Sequence, residues 1–420
     1  MDTTALKQSW REVAKVGDEA TQYFYSHLFL AHPEVREMFP ISMTAQRSRF
    51  FTALGHIVSN VDDLATDPTF VEQLGRDHRR FDVVADHYPA VAPSLLATLR
   101  HFLGPAWTEQ LEADWTAAYE AIAGIMIAAA ADAERDSPPF WEAEVVAIDR
   151  RSIDVAVVEL RPDRPYPYLP GQSMAVEVPS RPKLWRYYSP ANAPRADGSI
   201  ELHVQIVPGG QVSTALARGT ARGDIIRLGA PIGDQLTLSP DDGSLLLVAG
   251  GTGLAPLRAV LDHIDERWRA SGSAPEVHLF HGARAPWNLY DHQHLRQLAA
   301  RPWLQYTPVV SDDPGFPGVR GLVGDFAARA RPWHGFTALV CGSAPMVSHT
   351  RAALHSAGLP PAAVRFEEFA DAGFADGAAA PWTQHAHPTP DTRHTPDTTP
   401  TPGASPTPDP TWPTEATAWR

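Results

Sequence analysis

The stretch LLVAGGTGLAP, residues 246–256, decides how the second half of the chain folds. An apolar run of strand type ends in Gly250, Gly251 and Gly253, and the helical stretch LRAVLDHI follows. Glycines let the backbone approach a pyrophosphate, and a helix N-terminus offers N–H donors and a positive dipole end. Taken alone, such a turn also serves as an ordinary tight turn, and its spacing is not the GxGxxG of a standard dinucleotide fingerprint. A second edge strengthens the reading. VCGSAPMV, residues 340–347, places Cys341 and Gly342 at the end of another apolar run, with Pro345 near a helix start. Around these edges LLLVAG, EVHLFHGAR, QYTPVV and TALVCG alternate with helical stretches, which predicts an α/β unit with a parallel, doubly wound sheet over residues 241–374. Its carboxyl edges would form a nicotinamide crevice from Gly250, Gly251, Thr252, Gly253, Leu254, Ala255, Pro256, Cys341 and Gly342.

Working upstream, the pattern changes at Ser137-Pro138-Pro139. WEAEVVAIDR, DVAVVELRP, QSMAVEVP, SIELHVQIVP and DIIRLGAP are short β-rich runs bounded by turn residues, which predicts a small antiparallel β-barrel over residues 137–240. Within it, WRYYSP (185–190) gathers Arg186, Tyr187, Tyr188 and Ser189. The arginine suits a phosphate and an aromatic ring suits a flat ring system. PGGQVSTAL (208–216) sets Gly210, Gln211, Val212 and Ser213 at a helix start, a second anion cradle. Each segment alone could be an ordinary turn; together, ahead of GGTGLAP, they are far more specific.

Residues 1–136 read as all-helical, with apolar residues at helical spacing in Leu95, Leu96, Leu99 and Phe102 and one long closing helix from Glu109. Pro33, Pro40, Pro68, Pro89 and Pro93 are expected at helix ends or first turns. His27, His32, His56, His78, His87 and His101 lie in this unit, and a lone helical histidine is usually a surface or satisfied core residue. His78 has a distinctive context in RDHRRFDVVADHYPAV, with Phe81 three residues on and Tyr88 ten residues on.

Composition bounds the rest. Of 420 residues 44% are hydrophobic and 20% charged, so most of the chain should be globular. A net charge of −14 argues against nucleic-acid partners. Cys341, the single cysteine, excludes a disulfide framework and fits a cytoplasmic setting. No run of 18 apolar residues suggests a transmembrane segment, and MDTTALKQSW lacks a signal-peptide layout. Ten of the 40 prolines fall between Pro381 and Pro413, so residues 375–420 are expected to be a disordered tail with no identified partner.

RYYS, GGQVS, GGTGLAP, CGSAPM and EEF, in that order over residues 140–369, resemble the ferredoxin–NADP reductase-like family. The resemblance implies an FAD-binding barrel followed by an NAD(P)-binding domain. It assigns Tyr168, Arg186, Tyr187, Tyr188 and Ser189 to FAD, and the segment from Gly251 to Pro256 to the nicotinamide cofactor's pyrophosphate. Phe369, after Glu367 and Glu368, would cover the isoalloxazine ring; Glu368 stands where the family often has cysteine. The helical unit resembles the globin domain of flavohaemoglobins, carried by YFYSHLFLAHPEVREMFP and the His78 segment. That resemblance makes His78 the proximal ligand of haem b iron. It turns Tyr25 and Gln46 toward the sixth position, places Phe39 on the haem and Phe50 in the lining of the distal pocket, and sets Tyr88 in support of the proximal side. Two positions depart from the family: Ala130 where a glutamate is usual, with Asp132 nearby, and Asp77 where lysine is frequent.

The resemblance implies electrons passing from NAD(P)H through FAD to haem, and nitric oxide dioxygenation to nitrate by a monomer acting on O2 and nitric oxide. NADH is the favoured donor, although Arg284 lies where a basic side chain could meet a 2′-phosphate. Three alternatives stand beside this: an NAD(P)H oxidoreductase with another acceptor or donor, a gas-binding haemoprotein kept ferrous by its reductase, and a haem-free flavin reductase with a structural globin domain.

Overall fold

The computed structural model describes residues 1–369; the expected tail lies outside them. The helical unit comprises α1 (Thr3–Ala14), α2 (Asp18–Ala31), α3 (Thr44–Ser59), α4 (Thr69–His78), α5 (Tyr88–Leu103) and α6 (Glu109–Asp136). Asp2 caps α1 by accepting from the Thr4 and Ala5 amides, and the Thr108 hydroxyl caps α6 by accepting from Leu111. Pro33 opens a short 3₁₀ turn and Pro89 lies in the first turn of α5. Pro93, expected at an end, lies inside α5; it removes one intrahelical donor and the helix continues. Leu6, Trp10, Phe24, Leu28, Leu99 and Trp115 form the centre of the core. α6 is long and apolar enough by length and composition to cross a bilayer. In the fold it packs Trp115, Ala118, Ala123, Met126 and Ala129 inward. A Cβ on Gly75 would fall 2.3 Å from the Met126 carbonyl oxygen, so α4 and α6 cross in backbone contact.

The middle unit holds β1 (Trp141–Arg150), β2 (Val155–Pro162), β3 (Ser173–Glu177), β4 (Arg186–Tyr188), β5 (Ile200–Gln205), the one-turn α7 (Gln211–Thr214) and β6 (Ile225–Ile232). The order β4-β3-β6-β1-β2-β5 is antiparallel throughout. The expected barrel is not closed by a full ladder. Its two edges meet only at a single bridge between Pro190 and Leu202, so the sheet curls but stays open.

The last unit holds β7 (Ser244–Gly250), α8 (Leu254–Ser271), β8 (Val277–Ala283), α9 (His292–Leu298), β9 (Leu304–Val310), β10 (Val319–Arg320), α10 (Val323–Arg329), β11 (Phe336–Ser343), α11 (Ala344–Ser356) and β12 (Val364–Phe369). All pairs are parallel, in the order β10-β9-β8-β7-β11-β12. The chain first builds outward from β7 through β8 and β9, then returns to place β11 on β7's other side. The switch point therefore lies between β7 and β11, where α/β sheets open a crevice at their carboxyl ends.

Candidate functional site

A cleft of about 900 Å³ lies between the antiparallel sheet and this switch point. β4 and the residue after it bring Arg186, Tyr187, Tyr188 and Ser189 to its wall, and the α7 turn brings Gly210, Gln211, Val212 and Ser213. From the parallel sheet come Gly250, Gly251, Thr252 and Ala255, and from the end of β12 come Glu367, Glu368 and Phe369. The sequence motifs thus converge from four separate segments.

Other expected residues lie behind this wall. Leu254 and Cys341 are fully buried, and Pro256 is buried in the first turn of α8. A Cβ on Gly253 would fall 2.3 Å from the Cys341 carbonyl oxygen, and one on Gly342 would fall 2.9 Å from the Met346 sulfur. These glycines let β7, α8 and β11 close on one another. Gly251 adopts a φ of +54°, a conformation that favours glycine, and its carbonyl accepts a bond from His281 Nε2 at 3.1 Å. Tyr168 is not in the wall. Its ring packs in the core of the antiparallel unit and its hydroxyl donates to the Asn192 carbonyl at 2.9 Å.

The donor set fits a flavin and a nicotinamide nucleotide: aromatic rings, an arginine, two glycine-bearing turns and a buried carboxylate. That carboxylate is Glu367, 4% exposed. Burial pushes it up to about 7. The Ser173 hydroxyl donates to Glu367 Oε2 at 3.4 Å and lies 3.2 Å from the Ser189 hydroxyl. Glu367, Ser173 and Ser189 form a polar chain into the cleft. Ser173 escaped the sequence reading because a serine after a Pro-Gly-Gln turn carries no signal until β12 folds against it.

A second polar cluster joins the two sheets behind the cleft. Arg258 on α8 donates to Glu201 Oε1 at 3.2 Å, as His203 Nε2 does at 3.0 Å, and His203 Nδ1 lies 2.8 Å from the Tyr290 hydroxyl. Burial alone would raise the Glu201 carboxyl, but bonds from His203 and Arg258 outweigh it and hold it well below the usual carboxylate range.

In the helical unit, His78 ends α4 and its Nδ1–H donates to the Leu74 carbonyl at 2.6 Å. That bond leaves Nε2 as the lone-pair nitrogen, and burial lowers the pKa so the ring stays neutral. Tyr25 on α2 is buried, and burial raises its pKa, so its phenol keeps its proton. Gln46 Nε2 on α3 donates to that hydroxyl at 3.2 Å, which leaves the phenol's own proton for another acceptor. Phe39 and Phe50 pack against the Tyr25 ring with centroids at 5.5 and 5.6 Å. A neutral imidazole, apolar rings and a phenol–amide pair suit an iron porphyrin.

Tyr88, the expected proximal support, opens α5. Tyr88 packs with Ile57, Val71 and Met126, and burial raises its pKa to about 12. Its carbonyl accepts from the Tyr119 hydroxyl at 2.6 Å, but no carboxylate meets its own hydroxyl among the described residues. Asp132 does not replace the glutamate expected at position 130, because it is exposed and paired with Arg135.

Known proteins agree with this division. A globin family model matches residues 22–126, an oxidoreductase FAD-binding domain matches 142–236, and an oxidoreductase NAD-binding domain matches 247–352. The flavohemoprotein of Bordetella pertussis is 29% identical over 405 residues, covering 89% of this chain and 99% of that protein. The reductase component of the naphthalene 1,2-dioxygenase/salicylate 5-hydroxylase systems of Ralstonia sp is 33% identical over 232 residues, which is 54% of this chain and 69% of that protein. The crystal structure of flavohemoglobin from Malassezia yamatoensis, determined with bound FAD and heme, superposes with a TM-score of 0.71. It covers 87% of this chain and 98% of that one at 18% identity, a likeness of fold. With the globin and both reductase domains joined in one chain, and a flavohemoprotein relative matched from end to end, the chain belongs to the flavohaemoglobins, oxidoreductases that carry haem, FAD and a nicotinamide nucleotide.

Proposed function

We propose that the chain is an NAD(P)H-dependent nitric oxide dioxygenase, with NADH as the favoured donor. The Tyr25–Gln46 pair carries this reading, because it presents a protonated phenol to the pocket of a globin fused to its own reductase. Bound FAD would take a hydride and release electrons singly, and bound haem would accept them and hold the O2 that meets nitric oxide. The chain's own residues do the rest. His78 would hold iron through Nε2 while its bond to Leu74 fixes the ring's tautomer. Gln46 donates to the Tyr25 hydroxyl, so the phenol's own O–H would serve a polar ligand. In the cleft, Arg186 and the Gly210–Ser213 turn would hold the flavin's phosphates, and Tyr188 and Phe369 would serve its ring. Gly250, Gly251 and Thr252 would admit the nicotinamide nucleotide's pyrophosphate. Glu367, poised near neutrality, passes a proton through Ser173 and Ser189 to the cleft. The corresponding functional units are residues 1–136, 137–240 and 241–374.

The test is aerobic turnover of haem- and flavin-loaded protein with NADH and nitric oxide. The reading expects about two nitrates per NADH, since a hydride carries two electrons. NADH oxidation without nitrate would sink it. A second reading, an O2-binding haemoprotein kept ferrous by its reductase, draws on one observation: the His78 Nδ1–H donates to a peptide carbonyl rather than to a carboxylate. Slow nitrate formation with tight O2 retention would favour that reading instead.

A further inference from the structure

Immediately after His78 the chain makes a 3₁₀ turn, Arg79–Phe81, and then Asp82 adopts a φ of +61°. On the flavin side, Lys183 adopts a φ of +66° just before β4. These are the only non-glycine residues with positive φ among the described residues, and they face each other, with Lys183 Nζ 3.8 Å from Asp82 Oδ2. One step inward, the Phe81 ring meets Trp185 edge-on at 6.3 Å. One step further, Arg80 Nη2 donates to the Tyr187 hydroxyl at 3.2 Å and Nη1 donates to Asp77 Oδ1 at 3.1 Å. The Tyr187 hydroxyl in turn donates to Asp77 Oδ2 at 3.2 Å. Residues 82, 81 and 80 thus meet residues 183, 185 and 187 in reverse order, a short seam between the proximal-histidine segment and the strand of the flavin motif.

Arg80 is the centre of that seam. Its side chain is only 10% exposed, and its guanidinium lies over the rings of Phe81, Trp185 and Tyr187 at 5.4, 5.4 and 5.8 Å. Gly229 on β6 leaves room beneath it; a Cβ there would sit 3.4 Å from Arg80 Nη1. A buried ion pair of this kind is costly to break, because the remaining charge is left without a partner. Two strained backbone positions persist only where surrounding packing over-determines them.

We propose that Arg80, anchored by Asp77, is a positioning residue that fixes the flavin-bearing strand against the haem-bearing segment and so governs electron passage between them. This rests on the reading that His78 holds haem and that the RYYS segment holds flavin. The overall step balances as NADH and two ferric haems giving NAD⁺, a proton and two ferrous haems, with the electrons leaving the flavin one at a time. Flavin reduction by NADH takes place in the cleft, which Arg80 and Asp77 do not line; passage to haem crosses the seam they hold.

The experiment uses the full-length holoprotein and the variants Arg80→Met and Arg80→Lys. NADH is mixed in without O2 or nitric oxide. Flavin bleaching and haem reduction are followed separately by stopped-flow absorbance, with NADH–ferricyanide turnover as a measure of the reductase alone. Arg80→Met should keep flavin reduction and ferricyanide turnover within about twofold, while haem reduction slows by about tenfold or more. Arg80→Lys, which keeps the charge but loses the fork joining Asp77 to Tyr187, should restore part of that rate. Hydrogen exchange should rise in residues 79–81 and 186–188 of the Met variant. Haem reduction unchanged by Arg80→Met, or slowed only in step with ferricyanide turnover, overturns the proposal. If Arg80→Met fails to fold, Asp77→Leu/Arg80→Met removes both charges together and is read the same way. Failure of the dioxygenase reading would show separately, as fast haem reduction in the unaltered protein without nitrate.

Discussion

His78 and Gly251 stand in the two candidate sites, and their surroundings have little in common. His78 is held by one bond to Leu74, and the candidate haem-site groups come from three helices: Tyr25 on α2, Gln46 on α3 and His78 itself on α4. Gly251 belongs to a surface shaped by backbone: its own left-handed turn, the His281 bond to its carbonyl, and the contact of Gly253 with Cys341. A site built from side chains on separate helices should lose one function at a time when it is altered. A site built from touching backbones should fail as a whole when a methyl group is added.

The largest expected effect tests the first half of that contrast. His78→Ala should abolish haem retention, read as loss of the Soret band, while flavin content and NADH–ferricyanide turnover stay within about twofold. Concerted loss of flavin would break the contrast. Next, Gly253→Ala pushes a methyl to within 2.3 Å of the Cys341 carbonyl oxygen. It should destabilise the reductase by roughly 3 kcal/mol and release flavin while sparing haem, read by thermal melts at the two cofactors' absorbances. Gly124→Ala on α6 is the control, because nothing lies within 4 Å of the added carbon.

Glu367→Gln gives a comparable effect that depends on pH. The Glu367 value is raised from 4.5 to about 7, so no charge is buried while this carboxyl is protonated. The unaltered protein should match the Gln variant at pH 4.5 and fall behind as pH rises through 7, by roughly 3 kcal/mol at most. Thermal release of flavin, followed by its fluorescence, reads the difference; a gap that shrinks with rising pH would contradict the assignment. The smallest effect belongs to Tyr25→Phe, which removes one hydrogen-bond donor and should speed O2 release by about tenfold without loss of haem. Flash photolysis measures it.

The same contrast explains what was legible in the sequence. Glycine turns, RYYS and the parallel-sheet runs could be read locally, because backbone-shaped sites write their needs into short motifs. The haem pocket could not be read that way: His78 is one histidine among six in its unit, and only resemblance singled it out. Closure of the antiparallel sheet was overstated, since strand count does not say whether the edges meet. Tyr168 was reached only by resemblance, because its place in the core of the antiparallel unit and its bond to the Asn192 carbonyl depend on the folded sheet. The Asp77–Arg80 pair is visible as an acid and a base three residues apart, but its partner Tyr187 lies 107 residues beyond Arg80. Glu201, His203 and Arg258 were likewise beyond local reading, because their meeting depends on how two sheets pack.

β12 has a consequence for synthesis. It is the last described strand, and it pairs only with β11 at the edge of the parallel sheet. A ribosome therefore finishes the helical unit, the antiparallel sheet and β7 before it makes the carboxylate of Glu367 and the ring of Phe369. Until then β11 has an open edge and the cleft lacks one wall. The helical unit can fold on a nascent chain, whereas the reductase cleft takes its final shape only once β12 has been made.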